Sequence, residues 1–122
     1  GALATTLIWD TCNLFGIGSS DAELARALNH VRGMGGGLAV VVGERVVADL
    51  PLPIAGVTSP APLAEISARA AACEAALREL GCPLERPFLA AQTFCFTGLP
   101  FLRLTNKGLV DIRRRQFVEV VL

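Results

Sequence analysis

The middle of the chain constrains the fold most. Residues 38–42, Leu-Ala-Val-Val-Val, form an unbroken apolar run, Gly43-Glu44 interrupt it, and residues 45–50 resume with Val46 and Val47. Two β-branched runs separated by two residues, the first of them glycine, specify a tight hairpin. The first run lacks alternation, so it reads as a strand buried on both faces. The flanks bound this unit. Upstream, Gly33-Met34-Gly35-Gly36-Gly37 ends a helix, because glycine takes the left-handed conformation of a helix exit. Downstream, Pro51-Leu52-Pro53-Ile54-Ala55-Gly56 cannot be a central strand, since two prolines remove two ladder donors. It reads as an apolar loop that packs on something.

Around the hairpin, residues 3–9 read as a strand, 10–12 as a break and 13–17 as a second short strand. Ser20 and Glu23 form a capping box that opens a helix. Its stripe is Leu24, Ala27, Leu28 and Val31, at helical spacing. Ser59-Pro60 reads as the start of a second helix. Its seam runs Leu63, Ile66, Ala70, Cys73, Leu77, Leu80, with Glu65/Arg69 and Glu74/Arg78 on the outer face. Gly81 closes it. Residues 88–96 are apolar and read as short helix or strand, residues 105–108 as a turn, and residues 116–122 as a final strand. The order β-β-α-β-β-α-β predicts one α+β domain over residues 1–122. Its expected architecture is a mixed β-sheet with the two main helices packed on one face. The seam residues Leu63, Ile66 and Leu77 are expected to lie on the sheet carrying Val40 and Val42.

Composition narrows the function. Hydrophobic residues make up 52% and charged residues 18%, which excludes disorder and leaves an unusually apolar surface. Eleven basic and eleven acidic residues cancel, so no field of one sign gathers nucleic acid or an anionic membrane. No apolar run approaches the ~20 residues that span a bilayer. Residues 1–6 carry no basic segment of the kind that opens a signal peptide. Cys12, Cys73, Cys82 and Cys95 show no Cys-x-x-Cys pairing and read as free thiols, which fits the cytoplasm.

The motifs that suggest chemistry have simpler explanations. Gly16-Ile17-Gly18 lies where a dinucleotide fingerprint would, but Asp21 takes the third glycine position and would repel a pyrophosphate. It reads as a turn before the capping box. Gly35-Gly36-Gly37 follows a helix, whose C-terminal carbonyls suit no phosphate. Catalytic zinc wants three protein ligands, and the only histidine, His30, falls beside the helical stripe as a solvated residue. Cys12 with Asp10 suggests a thiol site, yet no histidine near in sequence serves as base. Arg113-Arg114-Arg115 reads as a solvated turn or strand edge, with an interdomain or subunit salt bridge as the alternative. No catalytic residue and no metal ligand is assigned.

Four stretches resemble the C-terminal domain of the bacterial adenine deaminases, a branch of the amidohydrolase superfamily. They are Gly1-Ala2-Leu3-Ala4-Thr5-Thr6, Gly35-Gly36-Gly37-Leu38-Ala39-Val40-Val41, Leu50-Pro51-Leu52-Pro53-Ile54-Ala55-Gly56 and Leu104-Thr105-Asn106-Lys107-Gly108-Leu109-Val110-Asp111. The resemblance implies a parent that hydrolyses adenine to hypoxanthine and ammonia. It also implies that the divalent metal (manganese, iron or zinc) lies in a separate upstream barrel. The chain itself is then an accessory domain with no cofactor of its own. Its partners would be that barrel or a second copy of itself.

One departure bears on the site. Where the family typically reads His-Asp-Ser-His-Asn, this chain reads Trp9-Asp10-Thr11-Cys12-Asn13. Asp10 and Asn13 remain as candidates to face a substrate cleft. The resemblance also places Gly1 inside the family's domain, so residues 3–9 are expected to form an uncovered sheet edge that recruits another chain. Leu3, Leu7, Trp9, Phe94, Phe96 and Phe101 are the candidate contacts of a homo-oligomer. The alternative function is a stand-alone interaction module that kept the fold without the enzyme. A small thiol enzyme using Cys12 is a third.

Overall fold

The computed structural model describes residues 1–9 and 13–120. Its centre is a four-stranded sheet in the order β2-β1-β3-β4. The strands are β1 (Ala2–Thr5), β2 (Phe15–Gly18), β3 (Gly37–Val42) and β4 (Arg45–Pro51). Every pairing in it is antiparallel. The β3–β4 hairpin turns at Gly43-Glu44, pairing Val42 with Arg45, as its sequence requires.

Side chains alternate across a sheet, so each face carries its own set. One face presents Ala2, Ala4, Gly16, Gly18, Ala39 and Val41. Helix α1 (Asp21–Gly33) lies on it and buries Ala27 and Val31 against Ala2, Ala4, Ala39 and Val41. The small side chains let the helix approach closely. A Cβ at Gly16 would come within 2.6 Å of Leu24 Cδ1. The capping box is present: Ser20 Oγ accepts from the Glu23 amide at 3.3 Å. Glu23 and Arg26 also clasp the hairpin turn, accepting from the Gly43 amide at 2.7 Å and donating to its carbonyl at 2.8 Å.

The opposite face carries the large residues Leu3, Phe15, Leu38, Val40 and Leu50. Helix α2 (Leu63–Glu79) buries Cys73 and Leu77 on them, with Ile66, Ala70 and Ala76 packed alongside. Helix α3 (Pro87–Phe94) adds Ala91 to this core. Three further strands, β5 (Leu102–Thr105), β6 (Gly108–Asp111) and β7 (Gln116–Val118), form a separate antiparallel sheet.

The α+β class and the order of elements agree with the sequence pattern, while four details of arrangement differ. The main sheet is antiparallel rather than mixed, because β1 runs against both of its neighbours and the crossover through α1 returns β3 beside it in the opposite sense. The two main helices cover opposite faces rather than one. A stripe reports that a helix is covered, not which side of a sheet covers it. β1 is central, flanked by β2 and β3, so the expected uncovered edge does not exist; the edges are β2 and β4. Helix α2 begins at Leu63 after Pro62, not at Ser59. Leu63 is therefore a first-turn residue, 80% exposed, and Val42 lies at the exposed hairpin end; neither joins the seam. The ambiguous apolar segment is the helix α3.

Candidate functional site

The second and third family-like stretches meet at the end of β1. Thr6 follows the last β1 residue, and its hydroxyl donates to the Gly56 carbonyl at 2.6 Å while accepting from the Gly37 amide at 2.8 Å. The Thr6 amide donates to the Gly37 carbonyl at 2.9 Å, and the Leu52 amide to the Gly36 carbonyl at 2.9 Å. Gly36 and Gly37 have φ of +124° and +132°, a region open to glycine alone. A Cβ at Gly37 would sit 2.0 Å from the Leu50 carbonyl oxygen, and one at Gly36 would sit 2.5 Å from Gly56 Cα. The glycine run is thus an assembly point where three chain segments touch backbone to backbone. Gly16 and Gly18 likewise make room for α1. Neither glycine cluster forms a phosphate cradle.

This assembly point fixes the chain just before residues 9–13. The Trp9 indole donates to the Gln92 side-chain oxygen and packs on Phe96, with ring centroids 5.3 Å apart. Asp10 and Cys12 fall outside the described residues. Asn13 lines a cleft of about 460 Å³. Its other walls are Leu14 and Phe15 at the start of β2, Cys95 and Thr97 after α3, and Leu104, Thr105 and Asn106 of the small sheet. The cleft is largely apolar with the Asn13 and Asn106 amides and the Thr97 hydroxyl among its walls, the usual make-up of a ligand pocket. Thr105 is already engaged, its hydroxyl donating to the Gly108 carbonyl at 2.8 Å and accepting from the Lys107 amide at 3.1 Å. The sequence marked residues 105–108 only as a turn.

The remaining candidates separate. Leu3 is 5% exposed in the core beneath α2, so it is no contact for a second chain, contrary to the expectation from an open edge. Leu7 is half-buried against the same core. Phe94 stacks on Phe15, centroids 6.0 Å apart, and keeps nearly half its surface exposed. Phe101 is exposed and lies under the Arg113 guanidinium at 4.2 Å. His30 is not the solvated residue its position suggested. Its Nε2 lies 2.9 Å from Asp49 Oδ2, and Arg69 donates to Asp49 Oδ1 at 2.9 Å. Asp49 sits on the edge strand β4, so this triad straps α1 to α2 around the edge of the sheet.

These groups do not fit a divalent-metal centre. The one histidine is committed to Asp49, and among the described residues no three His, Cys, Asp or Glu side chains converge. Burial, reinforced by nearby Asp49, pushes the Cys73 thiol up to about 12, and burial also raises that of Cys95. Both are held as protonated thiols, the opposite of an activated nucleophile.

A family model described as the adenine deaminase C-terminal domain matches residues 1–116. The chain belongs to this family. It is 45% identical over 121 residues to an adenine deaminase of Moorella thermoacetica, covering 99% of this chain and 20% of the relative. It is 43% identical over 120 residues to one from Oleidesulfovibrio alaskensis, covering 98% and 21%. The adenine deaminase of Cenarchaeum symbiosum is 38% identical over 121 residues, covering 99% and 20%. The chain spans about one-fifth of the length of these curated relatives. The match is to the C-terminal domain of that family, over nearly the whole of this chain. No helix among the described residues is long and apolar enough to cross a membrane.

Proposed function

We propose that the whole of residues 1–122 serves as the accessory domain of a cytoplasmic enzyme that hydrolyses adenine to hypoxanthine and ammonia. The observation that supports it is the family match across residues 1–116 with relatives named adenine deaminase. In this reading a linked catalytic barrel holds the divalent manganese, iron or zinc, which would supply the activated water. This domain supplies a wall. Asn13 faces the substrate region through the cleft it lines, and Asp10, which lies outside the described residues, is the second candidate for that role. The Asn13 amide, which both donates and accepts, suits a purine edge that presents both kinds of group.

A chimera tests the reading. In the Moorella enzyme the homologous stretch is replaced by this chain, and ammonia release from adenine is followed. The chimera is expected to deaminate adenine, and the chain alone is expected to release none with any of the three metals. Asn13→Ala in the chimera should lower kcat/KM about tenfold, the loss of one good hydrogen bond in the transition state. Full activity of that variant removes Asn13 from the site, and metal-dependent release by the chain alone overturns the accessory role.

A second reading, self-association, is supported by the exposed aromatic surface of Trp9, Phe94 and Phe101. Light scattering at tens of micromolar checks it, and a monodisperse monomer rules it out.

A further inference from the structure

The small sheet β5–β6–β7 is short of a core. Among the described residues, neither hydrophobic core contains any of its side chains. A three-stranded sheet has independent stability only when an apolar face is covered. Directly opposed residues share a face, so the register sorts its side chains. Leu104 opposes Leu109, which opposes Val118, and Leu102 opposes Asp111, which opposes Gln116. One face thus carries Leu102, Leu104, Leu109 and Val118. Leu102 and Leu104 stay 48% and 44% exposed. Leu104 also lines the cleft with Leu14 and Asn13, so the apolar face and the cleft form one continuous surface. That face bears no cation. Its one carboxylate, Asp111, lies at the far end and is turned to its own hairpin, accepting from the Arg114 amide at 3.0 Å.

We propose that this face is the seat of the linked catalytic part of the enzyme, an apolar surface of the same polypeptide. The inference rests on the accessory-domain reading and names the surface through which that role is exercised. Two observations choose the occupant. Relatives carry about four-fifths of their length outside the stretch matched here, so a large body of linked protein needs a place to sit. The face also carries no charge but that of Asp111, which its own hairpin engages through Arg114, and such a largely apolar make-up suits a surface buried in a permanent contact. The Asn106 amide at its margin then has a backbone or side-chain partner to meet where the two parts close.

The test compares hydrogen exchange in the Moorella chimera with that in the chain alone. Amides of residues 102–110 should exchange at least tenfold more slowly in the chimera. The double variant Leu102→Lys/Leu104→Lys should leave the melting of the chain alone within a degree or two. In the chimera it should remove the added protection and expose the junction to proteolysis. Equal exchange in both contexts overturns the proposal. Protection that grows with concentration in the isolated chain assigns the face to a second copy and also overturns it. A large destabilisation of the isolated chain by the lysines would show the face to be internal packing, and the proposal would fall on that result too. Adenine deamination by the unmodified chimera is read separately. A chimera that shows the protection without activity sinks the functional reading and leaves this interface standing.

Discussion

The Thr6 hydroxyl donates to the Gly56 carbonyl at 2.6 Å across 50 positions of sequence. It accepts from the Gly37 amide at the same time, so one side chain satisfies a buried donor and a buried acceptor. Thr6→Val keeps the shape and removes both bonds. It should cost about 1–3 kcal/mol, the penalty of leaving buried backbone groups unmet. Thr6→Ser, which keeps the oxygen, should stay closer to the unmodified protein. Urea melts of the two variants check this, and equal losses would show that the methyl group, not the hydroxyl, matters.

Helix α2 offers a paired contrast. Leu77 is buried between helix and sheet, so Leu77→Ala should cost about 2–5 kcal/mol. Leu63 occupies the same nominal seam but is almost fully exposed, so Leu63→Ala should fall within about 0.5 kcal/mol. Denaturant titrations decide it, and a loss at Leu63 comparable with that at Leu77 would place the start of α2 against the sheet after all.

On the other face, Gly16→Val should cost about 1–3 kcal/mol through overpacking, since its Cβ meets Leu24 and Leu28. Leu24→Ala on the same background should recover part of the loss by clearing the collision. Additive losses in the double variant would argue against direct contact.

Much of this was legible in the sequence, for identifiable reasons. The β3–β4 hairpin, the capping box of Ser20 and Glu23 and the stripe of α1 are local patterns with local causes. What escaped was set by distance. Residues 3–9 were expected at an edge because the resemblance placed Gly1 inside the family's domain, whereas the strand's two neighbours, β2 and β3, come from later in the chain. The partner of His30 on α1 is Asp49, 19 positions away on strand β4, and periodicity carries no trace of it. The cleft was half visible. Asn13 stood out through its polar segment and family resemblance, while Asn106 reached the same cleft only through the folding of a separate sheet.

Glu23 gives the chain an acid response. The Gly43 amide, then the Ser20 hydroxyl, with the Ser19 hydroxyl adding to them, hold its carboxyl down at about 2 from an ordinary 4.5. A depressed folded value means that stability is present above pH 4.5 and is lost as the pH falls through about 2. The unmodified chain should therefore melt progressively lower from pH 4.5 to pH 2. Glu23→Gln should show a flatter profile there and lie below it at pH 7. Parallel profiles across that range would mean that Glu23 contributes nothing to the acid limb.

Cys73 should resist alkylation in the folded chain at pH 8, because it is buried and its thiol is held near 12. Iodoacetamide with mass mapping should label it only after denaturant is added. Labelling of native Cys73 at the rate of a free thiol would show that α2 opens readily from the sheet.

The unequal faces of the main sheet set different rules for sequence drift in this family. Beneath α1 the side chains at positions 2, 4, 16, 18 and 39 are alanine or glycine, and the helix lies flush on them. Growth by even one methyl group there has nowhere to go, so these positions can exchange only among the smallest residues. Beneath α2, leucine, valine and phenylalanine interlock, and one can shrink while its neighbour enlarges. Divergence between homologues should therefore proceed as compensated pairs on the α2 side and stall on the α1 side. The same sheet would evolve at two speeds.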